Sequence, residues 1–143
     1  MKKLPVYFFQ EDIKYHLKNK NEIRKWLNET ILTKKHKLEN LNFIFCSDDY
    51  LLNINLEYLN HETLTDIITF DNSTTKNTIA GDIYISLDRV KENAITFNTK
   101  LTHELHRVII HGTLHLLGYD DKSAQAKTKM TKAEDKFLTK LYS

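Results

Sequence analysis

The strongest helical segment of the chain runs from Leu101 to Leu117, and Gly118 stops it. Glycine takes the left-handed conformation that ends a helix and reverses the chain, so residues just after position 118 can fold back toward that helix. The rest of the fold is assembled around it from shorter pieces. Val6 to Phe9 reads as a short strand, and Asn21 can cap a helix that puts Ile23, Trp26, Leu27 and Ile31 on one face. Leu41 to Cys46 alternates Leu41, Phe43 and Phe45 against Asn42 and Ile44, the pattern of a largely buried strand. Ser47 is an N-cap, followed by Asp48 and Asp49 where a helix N-terminus favours acid, and that helix runs to about Tyr58. Asp66 to Asp71 and Ile79 to Leu87 read as two strands of a hairpin joined through the polar run 72–77. Asp88 to Phe97 is helical, a polar break at 98–100 precedes the long segment, and a lysine-rich helix starts at about Ser123. The order predicts one α+β domain over residues 1–143: a small mixed sheet of about four strands with helices packed on it.

The 143 residues contain only three Gly and one Pro, which leaves no room for long linkers or low-complexity tracts. The apolar run Val6 to Phe9 is too short for a signal peptide, and no segment approaches the roughly 18–20 apolar residues of a membrane span. A cytoplasmic location is the expectation. Cys46 is the single cysteine, so an internal disulfide and a cysteine-based zinc knuckle are excluded, and its apolar setting predicts a buried core residue. Trp26 is also expected in the core. The net charge of +2 neither demands nor forbids a nucleic-acid partner, but Lys122, Lys127, Lys129, Lys132, Lys136 and Lys140 crowd the C-terminal part.

The chemistry concentrates in His111-Gly112-Thr113-Leu114-His115-Leu116-Leu117-Gly118-Tyr119-Asp120-Asp121. Residues four apart share a helical face, so the imidazoles of His111 and His115 can reach one ion from successive turns. A third ligand has to come from outside the helix. The turn at Gly118 makes Asp121 or Asp120 available, closing a three-ligand site with one position left for water. The spacing also follows the extended zincin motif H-E-x-x-H-x-x-G-x-x-H, with two departures. Gly112 stands where a peptidase keeps its glutamate base, and Asp121 stands where the third histidine would be. Without that base, peptide hydrolysis is disfavoured while metal binding is not.

In this form the segment resembles the signature H-G-x-L-H-L-x-G-Y-D-H of the YbeY family of rRNA maturation factors and endoribonucleases, differing at its last residue. Thr65-Asp66-Ile67-Ile68-Thr69-Phe70 is similar to the family's T-D-V-L-S-F strand, Gly81 to Ser86 to its G-D-I-x-I-S strand, and Glu104-Leu105 with Arg107 to its E-L-x-R. The matches run in order from about Tyr58 to Asp121. The resemblance implies an α+β fold with the metal helix under a mixed sheet, and one zinc ion per chain held by His111, His115 and Asp121. It further implies an RNA substrate, namely the 3′ end of small-subunit rRNA, together with a role in ribosome quality control. An aspartate ligand leaves the site less cationic by one charge than three histidines would, so a bound water should be somewhat less acidic. The family pattern Y-R-x-K-D-x-P-T-D is broken here: Leu59 follows Tyr58 where the arginine would be, and the lysine and proline are also missing. Leu59 cannot bind phosphate, though His61 in the same loop offers a titratable group.

His103 and His106 share the metal helix but lie well round from the ligand face, and they read as solvated or structural. Glu104 sits two turns before His111, which suits an intrahelical salt bridge or packing support better than contact with a ligand. Asp120 reads as structural, while Asp66 and Thr69 face the substrate by resemblance alone. Three functions follow in order: a zinc-dependent endoribonuclease or rRNA maturation factor, an RNA-binding ribosome-assembly factor with a structural metal and little catalysis, and a zincin-like metallopeptidase.

Overall fold

The computed structural model describes residues 3–60 and 64–143. Its elements follow the order β1 (Val6–Gln10), α1 (Lys20–Thr33), β2 (Lys37–Cys46), α2 (Asp48–Leu59), β3 (Ile67–Asp71), β4 (Thr78–Ser86), α3 (Leu87–Thr96), α4 (Leu101–Leu116) and α5 (Ala124–Tyr142). The expected α+β class therefore holds, as does the four-stranded mixed sheet. Strand order is β1-β2-β4-β3; β1, β2 and β4 run parallel, and β3 is the antiparallel arm of the expected hairpin. Most boundaries fall within a residue of the sequence reading, and two differ by more. Asn19 rather than Asn21 precedes α1, in a left-handed conformation with no side-chain cap, and β2 begins four residues before Leu41. With so few glycines, asparagine takes over most of the left-handed positions: Asn19, Asn60, Asn77 and Asn98 have positive φ, as does Lys35.

Successive side chains of a strand point to opposite faces, so the register fixes which residues meet the helices. Leu41, Phe43 and Phe45 lie opposite Gly81, Ile83 and Ile85, with Val6 and Phe8 beyond Leu41 and Phe43 and Ile67 and Thr69 beyond Ile85 and Ile83. This face joins α1, α4 and α5 in one cluster in which Leu41, Phe43, Ile83, Leu105, Ile109 and Leu114 are fully buried. Trp26 belongs to the same core, and its indole Nε1 donates to the Phe137 carbonyl at 2.7 Å, tying α1 to α5. The opposite face carries a smaller cluster of Cys46, Leu51, Ile54 and Ile68 under α2.

Gly112 sets how closely α4 lies on the sheet. A Cβ at this position would stand 2.7 Å from Ile67 Cδ1 and 3.0 Å from Ile83 Cγ2. The helix is therefore seated against β3 and β4 by a missing side chain. Gly112→Ala should destabilise the protein by about 1–3 kcal/mol from overpacking, even though alanine is the better helix former by about 1 kcal/mol. Chemical denaturation compares the two; a more stable variant would mean the contact is slack.

Cys46 is fully buried, its thiol donating to the Ile85 carbonyl at 3.5 Å. Burial, reinforced by Asp12, Asp88, Glu11 and Asp48, pushes the thiol pKa up to about 12. The native thiol should therefore resist a disulfide reagent at pH 8 and react once the chain is unfolded. An unfolded thiol ionises near pH 8.5. The stability this group supplies is then present below about pH 8.5 and lost as pH rises toward the native value. Denaturation of wild type and Cys46→Ala from pH 7 to pH 10 should show wild type losing more stability with pH than the variant.

Candidate metal centre

The end of α4 builds the site. His111 and His115 occupy successive turns of one face, their ring centroids 4.6 Å apart. Gly118, at φ 105°, then reverses the chain. Its amide donates to the His115 carbonyl and that of Tyr119 to the Leu114 carbonyl, both at 3.0 Å, which together form a Schellman closure. Three residues past the glycine, Asp121 returns to the histidine pair. Its Oδ2 lies 3.6 Å from His111 Nε2 and 3.8 Å from His115 Nε2, and the two Nε2 atoms are 3.1 Å apart. A tetrahedral ion with bonds of about 2.0–2.1 Å holds its ligand atoms about 3.3 Å apart. The triangle fits that spacing, and two imidazole nitrogens with a carboxylate oxygen are a donor set that could hold a divalent metal. Asp120 does not join the triangle; its Oδ1 accepts from the Lys122 amide at 3.1 Å, the structural turn expected of it.

Glu134 of α5 touches the site directly. Its Oε2 lies 2.5 Å from His111 Nδ1, and its Oε1 accepts from Arg107 Nη1 at 2.7 Å. Arg107 Nη2 also donates to Asp135 at 2.7 Å. Burial disfavours the charged His111 ring, but the Glu134 hydrogen bond and the charges of Glu134, Asp66 and Asp121 outweigh it, so the His111 pKa lies above its ordinary value. His115 goes the other way, lowered by burial and by the neighbouring His111.

Beside the triangle opens a cavity of about 340 Å³ walled by Asp66, Glu104, Arg107, His111, Asp121 and Lys127. Asp66 is raised by burial, which outweighs the opposing pull of His111, and Asn93 Nδ2 reaches it at 3.5 Å. Glu104 is raised by burial and by Asp66. Among the described residues Glu104 has no ion pair, so the intrahelical salt bridge anticipated as one alternative is not formed and the side chain lies buried at the cavity wall; Arg107 turns to α5 instead. His106 bonds the Tyr142 hydroxyl at 2.8 Å and meets Trp26 edge-on, and His103 packs on Tyr142, so both serve structure. Thr69 takes the helix-covered face opposite Ile83. Leu59 ends α2 and is exposed, while His61 lies outside the described residues.

Glu134 is the residue the sequence reading passed over, since in the last helix that reading registers only the lysines. The signal was there: Met130, Ala133, Phe137 and Leu138 form the buried stripe of α5, and Glu134 sits inside it. A carboxylate on an apolar stripe needs a partner.

The endoribonuclease YbeY family model matches residues 6–142. Among curated proteins, an endoribonuclease YbeY of Cytophaga hutchinsonii is 50% identical over 139 residues, 97% of each chain. One from Amoebophilus asiaticus is 45% identical over 138 residues, covering 96% of this chain and 94% of the relative. The solution structure of TM1509 from Thermotoga maritima matches with a TM-score of 0.67 at 26% identity, covering 96% of this chain and 89% of that one. Motifs, fold and near full-length similarity agree, and the chain belongs to the endoribonuclease YbeY family.

Proposed function

We propose that this chain is a zinc-dependent endoribonuclease that matures ribosomal RNA in the cytoplasm. In this reading it acts at the 3′ end of small-subunit rRNA and in ribosome quality control. Residues 1–143 serve as one metal-binding domain with one zinc ion held by His111, His115 and Asp121. The observation that carries the reading is the convergence of these three donors beside an open cavity whose wall includes His111 and Asp121. Membership in a family of endoribonucleases supports the choice of RNA as substrate.

Zinc at this position would supply Lewis-acid polarisation of a phosphodiester and lower the pKa of water at the open position. The chain's own residues do the rest. Asp121 lowers the charge of the site by one relative to a third histidine. Asp66, Glu104 and Glu134 make the cavity acidic, which opposes an incoming phosphate, so the cations on its wall matter. Arg107 is committed to Glu134 and Asp135, whereas Lys127 has no acidic partner among the described residues and is free to meet a phosphate. Leu59, at the place where the family resemblance puts an arginine, offers only carbon. That residue favours a second reading, in which the metal is structural and the protein assists ribosome assembly with little cleavage. A metallopeptidase is disfavoured by packing as well as by sequence: the position a glutamate base would need is filled by contact with Ile67 and Ile83.

Purified protein should hold close to one zinc per chain, and His111→Ala or His115→Ala should remove it. Asp121→Ala should weaken retention, Asp121→His should keep it, and Asp120→Ala should leave it alone. Elemental analysis reads all five; loss through Asp120 and not Asp121 would mean the wrong carboxylate has been assigned.

Cleavage of single-stranded RNA at fixed salt should stop on chelation and return with zinc. Supplying one stabiliser of transition-state charge is typically worth about 10² to 10³ in rate, so Leu59→Arg should speed cleavage toward that range while Lys127→Ala slows it. Metal content should not change in either variant. Robust binding of RNA without any chelator-sensitive cleavage would favour the assembly-factor reading.

A further inference from the structure

The side chain of Glu134 is 8% exposed, and its two oxygens have separate partners. Oε1 is held by Arg107 and Oε2 by His111 Nδ1. A carboxylate paired with a guanidinium is ionised and can only accept. His111 Nδ1 must therefore carry a proton in this contact, so that the neutral ring directs its Nε2 lone pair to where His115 Nε2 and Asp121 Oδ2 converge. Rotating the carboxylate would break both bonds together, so Arg107 fixes the aim of Glu134 and Glu134 fixes the tautomer and tilt of His111.

We propose that Glu134, held by Arg107, is a positioning residue that presets His111 as a metal ligand and thereby makes α5 part of the metal centre. This rests on the metal reading above. A carboxylate behind a ligand histidine fixes ring orientation and raises the basicity of the coordinating nitrogen, and removing such a partner typically costs about 10- to 100-fold in metal affinity. A merely structural salt bridge between α4 and α5 would lower stability and leave the imidazole as it was.

The test uses the full chain as wild type, Glu134→Gln, Glu134→Leu and Arg107→Met. Three quantities are measured: zinc affinity by competition with a chromophoric chelator, the His111 tautomer in zinc-free protein by long-range ¹H–¹⁵N correlation, and thermal unfolding. Wild type should show His111 protonated at Nδ1. Glu134→Leu should bind zinc about 10- to 100-fold more weakly and lose the Nδ1–H tautomer. Glutamine keeps a neutral acceptor, so Glu134→Gln should fall between the two, and Arg107→Met should weaken binding without touching a ligand. A folded Glu134→Leu protein with wild-type affinity or an unchanged tautomer would overturn the proposal. If that variant does not fold, Glu134→Gln decides, with unchanged affinity and tautomer counting against it. Wild type that takes up no zinc fails the metal reading instead. The tautomer in metal-free protein then decides the role of Glu134, and a His111 not protonated at Nδ1 overturns it.

Discussion

The seating of α4 on the sheet at Gly112 is the constraint from which the site follows. With no side chain between the helix axis and Ile67 and Ile83, the helix approaches β3 and β4 closely. The residues on either side of that contact inherit a fixed position. His111 and His115 are held half-buried beside the sheet, neither sealed in the core nor waving in solvent. One residue thus does two things: it lets the helix dock, and it occupies the position that a zinc peptidase reserves for its base. Docking and peptidase chemistry are incompatible at this position.

The second constraint is the chain reversal at Gly118. The Schellman closure satisfies the last carbonyls of α4 and sets the chain's exit direction, which brings Asp121 back within four residues' reach of its own helix. The surrounding charges are arranged around that triangle. Carboxylates of Asp66, just ahead of β3, and of Glu104 and Glu134, on α4 and α5, approach it, and the raised pKa values of Asp66 and Glu104 follow from burial more than from neighbouring charge. Arg107 balances α5, and the cavity keeps a net acidic wall suited to a cation.

The three donors were legible in the sequence because they are local. A helical repeat of four residues and a glycine turn are short-range rules that pair His111 with His115 and bring the chain back at Asp120 and Asp121; the family resemblance singled out Asp121 of the two. The strands carrying strong alternation were legible for the same reason, as was Ser47, whose hydroxyl accepts from the Tyr50 amide at 3.1 Å as an N-cap should. The first half of β2 was not. Lys37, Glu39 and Asn40 are polar and a register shift between Leu38 and Asn40 breaks the period, so strand character there comes from pairing with β4 and not from pattern. Glu134 was hidden differently. Its partner lies 23 residues away on another helix, and periodicity shows only that a charge sits on an apolar stripe, not what it meets.

The sheet has one more property that follows from its strand lengths. Its interior members β2 and β4 run ten and nine residues, while the flanking β1 and β3 run only five each. Each border therefore offers a short row of unpaired main-chain donors and acceptors, too brief to template a long intermolecular ladder. This matters for β1, where Tyr7 and Phe9 are 41% and 51% exposed. The most adhesive strands are enclosed on both sides, and the two that face outward are kept small, which protects a concentrated solution of the folded protein against edge-to-edge polymerisation.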